Sequence, residues 1–488
     1  MVFSSVSFLV FFLPCLFILY FIVPHRYRGA RNFILLAFSL AFYACGGPRF
    51  LLLMLLSIAI NYCCGLLAGP KHRPAVRRAG VTLASVLGLG LLGWFKYAGF
   101  FGEMLHALMP FIPVPQVTLP IGISFFTFQG LSYVIDVFRD AAAVQRNPLK
   151  LALYISFFPQ LVAGPIVRYT TVADEIDERH ESVSEFSAGA VRFLFGLAKK
   201  MLLANAVAQI ADAAFSAVSP SVALAWLGAV AYTFQIYFDF SAYSDMAIGL
   251  GRMFGFHFLE NFNYPYVSRS VTEFWRRWHI SLSTWFRDYV YIPLGGNRCS
   301  RARHLLNLMT VFLVSGLWHG AAWTYVLWGF LHGMYQVVGI LTKKLRAGAY
   351  AALRIDPDSK PAHIWRRAVT FALVSFAWIF FRAGSIGDLG ILLGKLFTAW
   401  QPGEAFASAF DLMRLDLPGA AAVIAAIAVM CLLDRNGLAS PASDSTELTG
   451  RRAATETIKY ASLIWAIAFA WLVLLEGNGA SSFIYFQF

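Results

Sequence analysis

His319 is the residue whose type and setting most directly permit proton transfer. It stands in HLLNLMTVFLVSGLWHGAAWTYVLWGFLHG, where an apolar run from Leu305 to Trp318 meets a second from Ala321 to Leu341. Arg298, Arg301 and Arg303 flank the first run, and Lys343, Lys344 and Arg346 close the second. Both outer ends are therefore expected on the cytoplasmic side, which makes the pair a hairpin. The fourteen residues of the first run reach only about 21 Å in helix, short of a roughly 30 Å hydrocarbon core. His319 is thus expected at the hairpin tip, inside the membrane. A neutral imidazole there takes a proton from a hydroxyl near neutral pH, and Gly320 beside it would let a substrate approach closely. Core packing and gating are the other uses of such a histidine, and residue type and place alone do not name a reaction.

A second candidate group lies upstream, in the polar and aromatic stretch from Tyr237 to Asn297. It opens with YFDFSAYSDMAIGLG, which places Asp239, Tyr243 and Asp245 in an apolar setting. Ionisable groups at membrane depth are costly, so each Asp either serves a cavity or pairs with a nearby Arg or helix end. TEFWRRWHISLSTWFRDYVYIPLGGN follows. Read as one helix, Trp275, Trp278, Leu282, Trp285 and Tyr289 form an aromatic face, and Arg276, His279, Ser283 and Arg287 an adjacent polar stripe. Such a helix suits either the bilayer interface or the wall of a pocket for a phosphate-rich ligand, with Arg276, Arg277 and Arg287 meeting phosphate oxygens. Trp278, Asn297 and Trp318 complete the candidate substrate-binding set. His279 taken alone reads as a hydrogen-bonded structural histidine.

The elements that must position these residues follow from composition. Of 488 residues, 59% are hydrophobic and 13% charged, against roughly 25% charged in a soluble protein. Mean hydropathy is +0.64, with 46 Phe and 13 Trp, which excludes a disordered chain and a water-soluble globule. An all-α polytopic membrane protein remains, since no period-2 alternation of a membrane barrel is visible. The net charge of +13 comes from short basic clusters between apolar runs, the pattern of loops facing an anionic inner leaflet and not of nucleic-acid binding. Candidate spans are 5–23, 31–46, 49–69, 80–101, 119–138, 151–167, 188–216 and 222–241. Others are 305–318, 321–342, 367–381, 386–400, 418–433 and 457–475. At about 20 residues per crossing, about 10–12 crossings are expected, with re-entrant and interfacial helices besides. Arg26, Arg28 and Arg31 after the first span, and Lys71, Arg73, Arg77 and Arg78 after the third, put the N-terminus outside the cytoplasm.

No Pro/Gly/Ser linker divides the chain, so residues 1–488 read as one integral-membrane domain with a polar loop at 440–452. Met1 to Val23 lacks a basic start and a small-residue cleavage site, and reads as a retained first helix. The cysteines (Cys15, Cys45, Cys63, Cys64, Cys299, Cys431) form no CxxC pair, and neither a disulfide framework nor a metal site is expected. Gly88-Leu-Gly90-Leu-Leu-Gly93 fits a dinucleotide fingerprint, but no strand precedes it, so small-residue helix packing is the expected role. Gly249, Gly251 and Gly255 likewise follow no strand. Without a Walker loop, an HExxH or a GxSxG, an ATP-driven pump carried on this chain alone is not expected.

Several long motifs in fixed order carry a resemblance. LPIGISFFTFQGLSYVIDVFR (119–139), FFPQLVAGPIVR (157–168), YFDFSAYSDMAIGLG (237–251), NFNYPYVSRSVTEFWRRWHISLSTWFRDYVYIPLGGNR (261–298) and GLWHGAAWTYVLWGFLHG (316–333) resemble the membrane-bound O-acyltransferase family. The similarity is strongest to its bacterial branch, typified by the membrane subunit of alginate O-acetylation. It covers residues 119–333 strongly and most of the rest weakly, including the start MVFSS and the end FIYFQF. The resemblance implies a helical fold around a central funnel in the bacterial inner membrane. It further implies acyl transfer from cytoplasmic acetyl-CoA, as donor substrate, to an acceptor on the outer side, with no permanently bound cofactor and no metal. Periplasmic acetyltransferase partners and an exopolysaccharide acceptor are implied as well. The family's near-invariant histidine matches His319, as general base or transient acyl carrier, and its second polar position matches His279. A transporter or flippase of an acyl carrier or lipid-linked sugar is the competing class, followed by a scaffold for a polysaccharide synthase. Peptidoglycan, cellulose and D-alanyl transfer to teichoic acid are the alternatives to an alginate-like acceptor.

Overall fold

Prolines and short polar side chains set where the helices begin. Pro48, Pro74, Pro148 and Pro361 occupy the first two positions of their helices, where a missing N–H leaves no bond unmade. Asn147, Ser182, Ser270, Ser300 and Ser385 each accept a backbone N–H from the first turn that follows. The structure, a computed structural model, describes residues 1–162, 164–216 and 222–397. Among these residues every regular element is helical. Cys431, the expected spans 418–433 and 457–475 and the polar loop 440–452 lie outside the described residues.

Four described helices are long and apolar enough to cross a membrane: Pro48–Ala68, Pro74–Leu108, Val183–Ser216 and Lys360–Arg382. Their 21 to 35 residues correspond to roughly 31 to 52 Å against a hydrocarbon core of about 30 Å. The expected spans 5–23 and 119–138 give shorter apolar helices, Ser7–Ile22 and Ile123–Phe138, and two further expected spans are shorter still. Residues 151–167 give the helices Pro148–Ser156 and Phe158–Leu161, because Pro159 offers no N–H and its ring clashes with the carbonyl four residues back. In 386–400 the helix Ile386–Lys395 has ten residues, about 15 Å.

The chain packs as two compact units, whose described parts are 1–162, 164–200 and 242–259, and 201–216, 222–241 and 260–397. In the first, Pro48–Ala68, Pro74–Leu108 and Ile123–Phe138 pack on one another. Gly189 and Gly249 let two further segments meet at backbone distance: a Cβ on either would stand 2.6 Å from the other's carbonyl oxygen. The packing role expected for Gly88, Gly90 and Gly93 is not found among the described residues. A Cβ on Gly90 or Gly93 meets nothing within 4 Å, and one on Gly88 meets only Thr127 at 3.7 Å.

Two clusters of buried charge in this unit are paired. Asp245 accepts from Lys199 Nζ at 2.6 Å and Arg192 Nη2 at 3.0 Å, all three being buried. Glu181, in the loop between Tyr169–Glu178 and Val183–Ala198, gathers Arg28, Arg31 Nη1 (3.1 Å), Arg179 Nε (3.4 Å) and Tyr20. Arg179 also donates to Asn32 Oδ1 at 2.7 Å. One carboxylate thus ties the loop to Leu13–Ile22 and Arg28–Ala44.

Burial raises the pKa of Glu181, but hydrogen bonds from Arg28 and Tyr20 and the charges of Arg28 and Arg179 outweigh it, holding the carboxyl at about 2 against an ordinary 4.5. A depressed carboxylate stabilises the folded state fully above its unfolded pKa, and that contribution fades as pH falls toward the folded value. The stability gap between wild type and Glu181→Gln, measured by thermal unfolding in detergent, is expected to be constant above about pH 5 and to shrink between pH 4.5 and about 2. A gap unchanged over that window would contradict the pairing.

In the second unit Arg301–His319 and Trp323–Leu341 run as an extensively packed pair, joined by three residues. Lys360–Arg382 packs beside the second leg. Its C-terminal Arg382 pairs with Asp212 at 3.0 Å and lies over the Phe215 and Tyr232 rings.

Candidate active site around two buried histidines

The hairpin expected from the basic flanks is present, with His319 as the last residue of its first leg. That leg has 19 residues, about 28 Å, because the helix starts at Arg301 and not at the first apolar residue. Gly316 and Gly329 bring the legs to backbone contact: a Cβ on Gly316 would overlap the Tyr325 carbonyl, and one on Gly329 the Phe312 carbonyl. The helix stops at Gly320, whose backbone is extended.

The His319 ring, 7% exposed, meets three aromatic rings nearly edge-on. Trp318 is 4.9 Å away, Trp328 5.1 Å and Phe381 5.2 Å between centroids. The space left by the missing side chain of Gly320 is taken by the Tyr325 ring, which a Cβ there would overlap. Tyr325 in turn packs edge-on against Phe381 at 5.0 Å. Gly320→Ala should therefore lower the unfolding temperature by displacing Tyr325. Tyr325→Ala in the same chain should recover part of the loss, read as a double-mutant coupling. Strictly additive effects would show that the ring does not fill this space.

His279 is reached by a break in the helix. The single helix expected through Trp275–Tyr289 is three pieces: Val271–Arg277, Ile280–Phe286 and a wide π-turn Arg287–Tyr291. His279 caps the middle piece at φ 43, ψ 56. A left-handed conformation at a bulky residue costs of order 1–3 kcal/mol and persists where surroundings enforce it. Asn261 supplies that enforcement. Its carbonyl accepts Ile280 N–H at 2.9 Å, and its Oδ1 accepts Ser281 N–H at 3.2 Å and Ser281 Oγ–H at 2.9 Å. The same Oδ1 lies 3.1 Å from His279 Nδ1. Since Ser281 N–H can only donate, the facing Asn261 atom is the oxygen, and a neutral His279 holds its proton on Nδ1 with the lone pair on Nε2. The His279 ring stands edge-on to Phe240 at 4.7 Å and 6.3 Å from Trp318, so both histidines meet Trp318.

A third buried histidine backs this wall. Trp275 Nε1–H donates to His332 Nδ1 at 3.2 Å, which places the proton of a neutral His332 on Nε2. Trp328 packs against both His319 and His332, at 5.1 and 4.9 Å. His332 Nε2, Trp328 Nε1 and Thr324 Oγ1 are buried without a hydrogen-bond partner among the described residues. Leaving a buried polar group unsatisfied costs about 1–3 kcal/mol, and three such atoms surround this hairpin among the described residues.

The sequence profile of MBOAT, the membrane-bound O-acyltransferase family, matches residues 82–381, a span that includes both legs of the hairpin. The chain belongs to the membrane-bound O-acyltransferase family. It is 40% identical over 514 aligned positions to a probable alginate O-acetylase AlgI of Pseudomonas putida, covering 100% of each chain. It is 35% identical over 429 positions to the peptidoglycan O-acetyltransferase of Helicobacter pylori, covering 81% of this chain and 80% of that one. Similarity extends at 30% over 297 positions to the teichoic acid D-alanyltransferase of Bacillus subtilis, covering 57% and 74%.

The other expected site residues of this O-acyltransferase fall into three settings. Trp278 and Trp318 are buried in the second unit. Trp278 is core: Phe262 and Trp378 at 5.0 Å, Phe274 at 5.5 Å and Tyr266 at 6.1 Å surround it. Asp239 is buried in the same unit, and Ser283 Oγ donates to the Trp278 carbonyl at 3.3 Å. The basic residues form no single stripe. Arg277 is held by Glu273 at 3.0 Å and Arg287 by Asp288 at 2.7 Å, whereas Arg276 and Asn297 are exposed. Tyr243 and Asp245 belong to the first unit, Tyr243 stacked on Phe3 at 4.7 Å and Asp245 in the ion pairs above. The pairing alternative for Asp245 is the one observed. Sequence reasoning passed over Asn261, Trp328, His332 and Phe381. Asn261 and His332 stood within the quoted motifs, as an amide before a Pro-Tyr turn and a histidine one helical hairpin from His319.

Proposed function

We propose that this membrane-bound O-acyltransferase takes an acetyl group from acetyl-CoA at the cytoplasmic face of the bacterial inner membrane. It passes the group toward hydroxyls of an alginate-like exopolysaccharide, directly or through periplasmic acetyl-carrying partners. The observation that carries this reading is the pair of buried histidines meeting Trp318 inside the span matched by the family. Full-length similarity to a probable alginate O-acetylase supports the acceptor class.

In this reading His319 takes the proton of the acceptor hydroxyl as its oxygen attacks the thioester carbonyl. The new C–O bond forms, the C–S bond breaks, and the proton passes from the imidazole to the leaving thiolate. Negative charge developing on the carbonyl oxygen needs a fixed donor, and Trp328 Nε1–H, buried beside His319, is such a group. His279, with its proton committed to Asn261, offers Nε2 as an acceptor for a second hydroxyl of the incoming sugar, next to the one that attacks. The phosphates of the donor fall to Arg276 and Arg298, which are exposed and pair with no acidic side chain among the described residues, while Arg277 and Arg287 are already engaged. The test is O-acetyl content of secreted polysaccharide, peptidoglycan and teichoic acid, by NMR, in cells lacking the gene and in cells carrying it again. Loss and recovery in the secreted polysaccharide are expected; a change confined to peptidoglycan or to D-alanyl esters would reassign the acceptor, and no change would refute the proposal.

A further inference from the structure

A basic cleft in the first unit takes no part in acyl transfer as proposed. It lies at the turn joining Pro48–Ala68 to Pro74–Leu108, both long and apolar enough to cross a membrane, so the turn stands where those helices leave the bilayer. The cleft holds about 830 Å³ between that turn and the segment following Ile123–Phe138. Its one acidic lining residue, Asp140, is engaged by Arg77 Nη2 at 2.6 Å. Lys71, His72 and Arg146, also in the lining, are exposed, and no described residue pairs with their side chains. The remaining wall is apolar, with Leu66 and Val144.

Two uncompensated cations on a concave surface with apolar walls, at the end of membrane-crossing helices, match one ligand chemistry: a phosphodiester carrying a hydrophobic continuation. We propose that this cleft binds the headgroup of an anionic phospholipid, with Lys71 and Arg146 on the phosphate oxygens and Leu66 and Val144 against the glycerol end. Arg is suited to two-point contact with phosphate, and Lys supplies a compact charge. Basic residues beside an anionic leaflet are attracted to it in any case. What distinguishes a site from that general attraction is dependence on the lining residues and not on neighbouring charges of equal number.

The experiment is native mass spectrometry of the full chain titrated with phosphatidylglycerol, with phosphatidylcholine as the neutral counterpart. Lys71→Gln with Arg146→Gln should weaken phosphatidylglycerol retention by about 30-fold, the loss of two direct hydrogen-bonded contacts to the phosphate. Arg73→Gln with Arg78→Gln removes the same charge from the end of the turn and the start of the following helix, outside the lining, and should leave retention unchanged. Equal loss in both variants would reduce the cleft to a diffuse basic surface and overturn the proposal. Retention in the first variant, or displacement of the lipid by millimolar inorganic phosphate alone, would overturn it as well, the latter assigning the cations to a soluble phosphate.

Discussion

Replacing His319 with alanine is expected to cut acyl transfer by about 10²–10⁴-fold, the range supplied by a positioned general base, while the protein still folds and inserts. The ring is enclosed by Trp318, Trp328 and Phe381, so its removal opens a cavity and some stability will be lost. His319→Gln separates the two effects, because it fills most of the space and hydrogen-bonds but cannot take a proton. Transfer should stay low in both variants, with thermal stability recovering in the glutamine form. If glutamine restores transfer, the ring is a packing element and the base lies elsewhere. His279 predicts a different signature: Asn261→Leu frees the Nδ1 proton and releases the left-handed backbone, so turnover should fall without loss of donor binding.

The second large effect concerns Asp245. Asp245→Asn leaves Arg192 and Lys199 buried opposite a neutral group, and stranding a buried charge costs about 3–5 kcal/mol. Size-exclusion profile and unfolding temperature in detergent should both deteriorate. Adding Lys199→Met to Asp245→Asn removes one orphaned charge and should recover a measurable part of that loss. A variant as stable as wild type but unable to transfer would instead give Asp245 a role at the substrate.

The hairpin and its histidine were legible because their signals are local: two apolar runs, basic residues at both outer ends and a single imidazole between them. The break at His279 was not. Aromatic spacing continues numerically through Trp278 and His279, and nothing within the segment forbids a helix. What interrupts it is Asn261, 18 positions upstream, which takes the backbone N–H of Ile280 and the ring of His279 together. Asn263 N–H bonds the Arg277 carbonyl at 2.9 Å on the other side of the break, so the neighbouring strand of chain replaces the bonds the helix gives up. A tertiary partner has outweighed periodicity, which a pattern read along one segment does not contain. Gly320 misled for a related reason. Its missing side chain signals a close approach, but only packing reveals that Tyr325 makes it. Asp245 is the converse case: burial of an acid was visible, and its partners at positions 192 and 199 lay on a segment whose alignment with it depends on Gly189 and Gly249.

The most direct measurement follows the acyl group across the membrane. Full-length protein is reconstituted in sealed vesicles with acetyl-labelled acetyl-CoA on the cytoplasmic side and alginate-type oligosaccharide, with any periplasmic partner, on the other. Wild type should deposit label outside as a base-labile ester while free thiol accumulates within, and the His319→Ala protein should do neither. Label crossing as intact thioester, or ester forming equally with and without the imidazole, would contradict acyl transfer at His319.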